Sequence, residues 1–384
     1  MLLTLDTPQR QTLNTMQLFG VTCRFFDVGI RLFSDSAQYI DMFRKIYKPF
    51  IIAEAAAGEF PAWYLFETCP FSRGSSVIID NTLYELPSGE AFLGHAEIFL
   101  FQKLIDRVTN YLLLHGGVVA QGDAGYIVYA GSGAGKTTLV LNLVLQGYKF
   151  LSDEYCPLRL EDFAVIPAPQ GIGLKKDSPF LQTILRTGVE YVDCSGKYYV
   201  DCESIVPGSL GGVCKAKYFI MLTSEQEHQP SASAFQKIEV CLFREAESLI
   251  AILNDLPGVT VIHQSPKQFY TECILSLPRT RTAIRALHTF MKRYEHLLYY
   301  VAPVREKKTD FSHKPRLVPM QRSEALFEIF TNLSNRSPSS ALLARTAQSY
   351  QQLLMTIATF LKDVECYRLT TGNLEGMTQL INAL

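Results

Sequence analysis

Between Ala130 and Thr138 the chain reads Ala-Gly-Ser-Gly-Ala-Gly-Lys-Thr-Thr, small residues closed by a lysine and two hydroxyls. Such a run lets successive backbone N–H groups turn inward around an anion, and a following helix adds the positive end of its dipole. The spacing fits the Walker A pattern with one departure, Ala130 for the first glycine, and alanine is the least disruptive replacement there. Gly131, Ser132, Gly133, Ala134 and Gly135 would supply the cradle, Lys136 would reach the outer phosphates, and Thr137 would offer its hydroxyl to Mg²⁺, with Thr138 beside it. Further on, Asp153 and Glu154 close an apolar stretch. One such acid can hold a metal while the other takes the proton of an attacking hydroxyl.

The elements that must position these residues follow from the flanking patterns. LHGGVVAQ (114–121) and GYIVYAG (125–131) predict two strands joined by a tight turn at Gly122-Asp123. Lys136 to Leu145 predicts a helix stopped at Gly147, and YKFLSDEY predicts a strand whose end carries the acids, as a parallel neighbour delivers its C-terminal end to a phosphate site. PAPQGIGLKKDSPF (167–180) is a loop rich in turn formers, and AKYFIMLT (216–223) a further strand. Before residue 90, runs such as VIID (77–80) and TLYEL (82–86) predict short antiparallel strands; from Glu97 the apolar spacing becomes helical. Residues 281–298, 322–333 and 340–362 are helical in pattern, and ECYRLT (365–370) returns to a strand before a short helical tail. The expected division is an α+β module over 1–90, a nucleotide-handling core over 91–280 and a helical part over 281–384.

Composition bounds the function. The chain has 384 residues, 48% hydrophobic and 19% charged, and a formal net charge of -1, which describes a globular protein with no electrostatic reason to coat nucleic acid or an anionic membrane. Nine cysteines without a C-x-x-C pair suggest neither a zinc knuckle nor a dithiol motif, and fit a reducing compartment. MLLTLDTPQR is too short an apolar opening for a signal sequence, and no apolar run approaches the roughly 20 residues needed to span a bilayer. The expectation is a cytoplasmic protein.

Taken in order, LHGGVV (114–119), AGSGAGKTT (130–138), QGYKFLSDEY (146–155) and PAPQGIGLKK (167–176) resemble the HPr kinase/phosphorylase-related family of P-loop kinases, which is similar in its core to the phosphoenolpyruvate carboxykinases. The resemblance implies an α/β P-loop kinase core with a small β-rich N-terminal module and a helical C-terminal part, and ATP and Mg²⁺ as cofactors. It also implies that Lys136 and Thr137 bind phosphate and metal, that Asp153 is the catalytic acid/base, and that Glu154 assists with metal or polarisation. His115 would lie near the transferred phosphoryl group, and Lys175 or Lys176 would meet the γ-phosphate or the acceptor. The acid pair is Asp-Glu rather than two Asp, and the loop reads QGIGLKK rather than E-x-R-G-L-G. These departures turn the expected acceptor away from HPr, towards a serine-like hydroxyl of a peptide, protein or small molecule. Arg279, Arg281 and Arg285 could form an anion patch, although a charged helix start explains them more simply. A nucleotide-binding switch or scaffold that transfers nothing is the alternative, and either form could be a homo-oligomer.

Overall fold

This computed structural model describes residues 2–53, 60–72, 74–86, 92–130, 133–194, 196–223, 235–243, 246–266, 270–278, 280–294, 297–303, 311–331, 333 and 350–384. The chain opens with β1 (Leu2–Thr4), α1 (Thr7–Thr15), β2 (Phe19–Phe25), β3 (Val28–Ser34), α2 (Ala37–Ile46), β4 (Ala62–Phe66), β5 (Ser76–Ile79) and β6 (Thr82–Glu85). They form a six-stranded sheet in the order β1-β6-β5-β4-β3-β2. It is not wholly antiparallel as the patterns before residue 90 suggest, because β3 and β4 pair in parallel. A parallel pair needs a long crossover, and α2 supplies it. Helix α3 (Phe92–Ile105) closes this core, with Phe101 edge-on to Phe25 at 5.5 Å and stacked on Tyr47 at 5.4 Å.

The central elements follow as β7 (Tyr111–Gln121), β8 (Ala124–Tyr129), α4 (Lys136–Leu145), β9 (Lys149–Ser152), β10 (Tyr155–Arg159), β11 (Ala164–Val165), β12 (Ile172–Lys175), α5 (Leu181–Arg186), β13 (Tyr191–Cys194), β14 (Lys197–Val200), α6 (Cys202–Ile205) and β15 (Cys214–Thr223). The two-residue connection at Gly122-Asp123 forces β7 to lie antiparallel against β8, as its sequence predicts. Strand β9 also runs antiparallel to β7, so β8 and β9 point the same way with β7 between them. The expectation of directly adjacent parallel strands is corrected on this point, since the hairpin partner occupies the intervening place. Strands β12, β14 and β13 make a separate three-stranded sheet.

Then come β16 (Phe235–Phe243), α7 (Leu249–Asn254), β17 (Thr260–Pro266), β18 (Tyr270–Pro278), α8 (Arg281–Arg293), β19 (Leu298–Pro303), β20 (Arg316–Pro319), α9 (Arg322–Thr331), α10 (Tyr350–Phe360), β21 (Glu365–Thr370) and α11 (Leu374–Asn382). The helical pattern over 281–298 overruns the helix. It stops at Arg293, and the aromatic and β-branched run from Leu298 pairs with β16 instead. The part expected to be helical therefore carries strands, in a four-stranded sheet ordered β17-β18-β16-β19 and in β20. Of the stretch read as helix over 340–362, residues 340–349 lie outside the described residues.

Strand β21 pairs in parallel with β15, which pairs in parallel with β8. The resulting eight-stranded sheet has the order β11-β10-β7-β8-β15-β21-β20, with β9 on β7. Its alternating side chains feed two cores. Val128, Ile220 and Leu369 face one core with Leu139 of α4 and Met377 of α11; Ile127 and Phe219 face the other with Ile329 of α9 and Ile357 of α10. The architecture is mixed α/β with helices on both faces of the central sheet. Among the described residues no helix is long and apolar enough to cross a membrane.

Candidate active site

The site begins with two glycines in the middle of β7. A Cβ at Gly117 would meet Val140 Cγ2 at 2.5 Å, so only a glycine lets α4 settle this closely on the strand. That approach brings the first turn of α4, Lys136 and Thr137, to the part of the sheet that carries His115. Ahead of the helix, Gly133 and Gly135 have φ of 78° and 89°, a left-handed conformation that costs glycine little. Gly135 is the N-cap and offers no side-chain cap, leaving first-turn amides for another acceptor. Ala134 and Ala130 are buried in the core beneath, so the methyl that replaces the first glycine is a packing group. Thr138 is half-buried in the same turn, while Gly131 and Ser132 lie outside the described residues.

Asp153 and Glu154 stand where β9 ends at Ser152, as their sequence suggests, and form a bend before β10 takes up the same line. Ser152 lies opposite Val118 and Tyr155 opposite His115, so β9 and β10 follow one line along β7 and the two acids face Gly116-Gly117. The Gly116 N–H donates to the Glu154 carbonyl at 3.1 Å, and the Tyr155 N–H donates to Ser152 Oγ at 3.2 Å, which holds the bend. Pairing resumes because Cys156 and Leu158 bury themselves in the sheet core.

The side chains join across these elements. Lys136 Nζ is 3.0 Å from His115 Nε2. An ammonium only donates, so Nε2 accepts and the ring proton belongs on Nδ1, which faces Glu154 Oε1 at 3.5 Å. Thr137 Oγ1 donates to Asp153 Oδ2 at 3.0 Å. Asp153 is 3% exposed, and among the described residues its Oδ1 has no hydrogen-bond partner. An unmet buried oxygen costs about 1–3 kcal/mol.

The two neighbouring carboxyls are driven in opposite directions. Burial pushes Asp153 up to about 6; Lys136 and the Thr137 hydroxyl pull against it, and Glu154 adds to it. Burial also acts on Glu154, but Lys136, His115, Lys197 and Lys175 outweigh it and hold that carboxyl at about 2. Near neutral pH, Glu154 is a fixed anion and Asp153 is poised to exchange a proton.

The hydroxyl of Thr137 and the Asp153 carboxylate form an all-oxygen set of the kind Mg²⁺ prefers, and Mg²⁺ commonly completes its shell with water and phosphate oxygens. Among the described residues no group of three or more His, Cys, Asp or Glu is arranged to hold a metal unaided.

Lys175 is exposed on β12, directly across from Lys197 on β14. Lys197 is one residue that sequence reasoning missed. Nothing in SGKYYV (195–200) marks it, and only the β12–β14 register ties it to Lys175. Glu97 of α3, a second omission, is buried with its carboxyl bonded to the Tyr47 hydroxyl; burial pushes it up, while Tyr47 and Lys197 pull it down. Lys176 is exposed. Of the proposed arginine patch, Arg279 and the Arg281 side chain lie outside the described residues, and Arg285 is exposed on α8 beside Ile252 and Phe290, which belong to the four-stranded unit.

No protein-family model matches the chain, and no curated protein matches it either. Among solved structures the chain is similar to the HPr(Ser) kinase/phosphatase from Coxiella burnetii, at 12% identity and a TM-score of 0.22, over 33% of this chain and 75% of that one.

Proposed function

We propose that this chain is an ATP-dependent kinase that transfers the γ-phosphoryl group of ATP to a hydroxyl, that of a serine or a serine-like alcohol. The observation that carries the reading is the Thr137–Asp153 bond, which ties the first turn after a glycine loop to a buried carboxylate with one oxygen unmet. In this reading Lys136 and the amides ahead of α4 hold the phosphate oxygens, and Thr137 with the Asp153-Glu154 pair would hold Mg²⁺. Mg²⁺, when bound, neutralises the charge that develops between the outer phosphates. Asp153 Oδ1 takes the acceptor's proton as the acceptor oxygen bonds to the γ-phosphorus. The bond from that phosphorus to the bridging oxygen breaks, and ADP leaves with the electron pair. His115 keeps Lys136 and Glu154 in fixed relation, so the cationic side of the site needs no rearrangement during transfer.

Incubation with γ-labelled ATP, Mg²⁺ and serine-containing peptides tests the reading. Label should pass to a peptide hydroxyl in the wild type and not in Lys136→Ala. Label recovered only as free phosphate would instead favour a nucleotide-driven switch.

A further inference from the structure

We infer that Lys175 and Lys197 form an anion-binding pair that selects an acceptor whose hydroxyl lies near a carboxylate. The inference rests on the kinase reading and assigns the class of its acceptor. The two lysines occupy directly opposed positions on β12 and β14, where like charges are destabilising. Their companions in the ladder, Leu174 opposite Tyr198 and Ile172 opposite Val200, are ordinary packing pairs. The Lys197 stem lies across Gly173: a Cβ there would meet its Cδ at 3.1 Å. Both ammonium groups act on Glu154, and Lys197 acts also on Asp153 and Glu97. Yet among the described residues neither forms an ion pair within 4.0 Å, and Glu154 already faces His115 at 3.5 Å.

Tyr199, two residues along β14 and so on the same face as Lys197, packs into the core that also takes Tyr155, the neighbour of Glu154. The glycine loop, Lys136 and Thr137 with Mg²⁺ are the parts such a motif uses on a triphosphate. Lys175 and Lys197 sit on another sheet; the charge of both reaches Glu154, and that of Lys197 also reaches Asp153. A carboxylate on the acceptor would offset their repulsion and hold the hydroxyl beside Asp153, whose Oδ1 is unmet. That carboxylate could belong to acidic side chains flanking a serine or to a small hydroxy acid.

Initial rates with the full chain and γ-labelled ATP decide this, using three probes: a serine peptide flanked by glutamates, the same peptide with glutamines, and D-glycerate. The wild type should favour the glutamate peptide or glycerate over the glutamine peptide by about tenfold or more in kcat/KM, and whichever of the two is faster identifies the source. Lys197→Gln should collapse that preference to within about twofold, mainly through KM for the acceptor, while Lys197→Arg preserves it. Lys175→Gln, on an exposed side chain, should lower it in the same direction and stands in if Lys197→Gln misfolds. Equal rates with all three probes, or a rise in KM for ATP instead of for the acceptor, would overturn the inference and leave the kinase reading intact. If no probe is phosphorylated, anisotropy of a labelled glutamate peptide still tests the pair: binding about tenfold weaker in Lys197→Gln supports it, and equal binding overturns it. Calorimetry with Mg-ATP on the wild type and Lys136→Ala judges the kinase reading separately.

Discussion

The bent strand opposite β7 and the four-stranded sheet β16–β19 are built from similar apolar alternation but treat polar groups differently. In the four-stranded unit, Val240, Leu242, Leu275 and Leu277 are buried, and the buried Thr271 hydroxyl donates to Glu247 at 2.7 Å. Its outer strand β17 faces solvent for most of its length. Around β7, by contrast, a lysine and an aspartate are buried beside a glycine that no other residue can replace without displacing α4. One carboxylate oxygen there is unmet. Such a region gives up stability, and proteins retain such sites where a function depends on them.

Substitutions can break or sharpen this contrast. The largest effect is expected at Lys136: Lys136→Ala should lower kcat by roughly 10²–10³-fold, as loss of one transition-state donor does, and a change confined to KM would reduce its role to uniform binding. Next, Gly117→Ala should cost about 1–3 kcal/mol in urea denaturation, because the new methyl strikes Val140.

Smaller effects come from the acid pair, and they have opposite signs. Asp153 is raised from 3.8 to about 6, so its favourable contribution is complete below pH 3.8 and is lost as pH rises through 6. Asp153→Asn should therefore raise the melting temperature near pH 7.5, by roughly 1–2 kcal/mol of stability, and the gain should vanish below about pH 4. Glu154 is lowered from 4.5 to about 2, so its contribution is present above pH 4.5 and lost as pH falls through 2. Glu154→Gln should destabilise near neutral pH by about 1 kcal/mol, its side chain being partly open to solvent. The smallest effect belongs to the other region: Ile262→Thr, on the solvent-facing strand, should stay within about 0.5 kcal/mol.

Legibility in the sequence follows the same contrast. The β7–β8 hairpin, α4 with its stop at Gly147 and the closing β21–α11 pair could be read because local periodicity and turn residues determine them. Lys136 and Thr137 could be read because the glycine loop constrains residue type at each position, and the acids from the strand after its helix, while His115 was expected only from the family resemblance. Lys197 and Glu97 could not. They reach the acid pair through strand register and through the packing of α3, neither of which leaves a local pattern. Strand β19 was hidden for a related reason, since its apolar run continues the helical spacing of α8 and only pairing with β16 settles its conformation.

The central claim is that Asp153 exchanges the acceptor's proton beside the phosphates held by Lys136. The most direct test is the pH dependence of kcat/KM for phosphoryl transfer in the wild type and in Asp153→Asn. The wild type should show an acidic limb with its midpoint near 6. The variant should lose that limb and fall by about 10²-fold. A variant that keeps the limb, or turns over at the wild-type rate, would contradict the account.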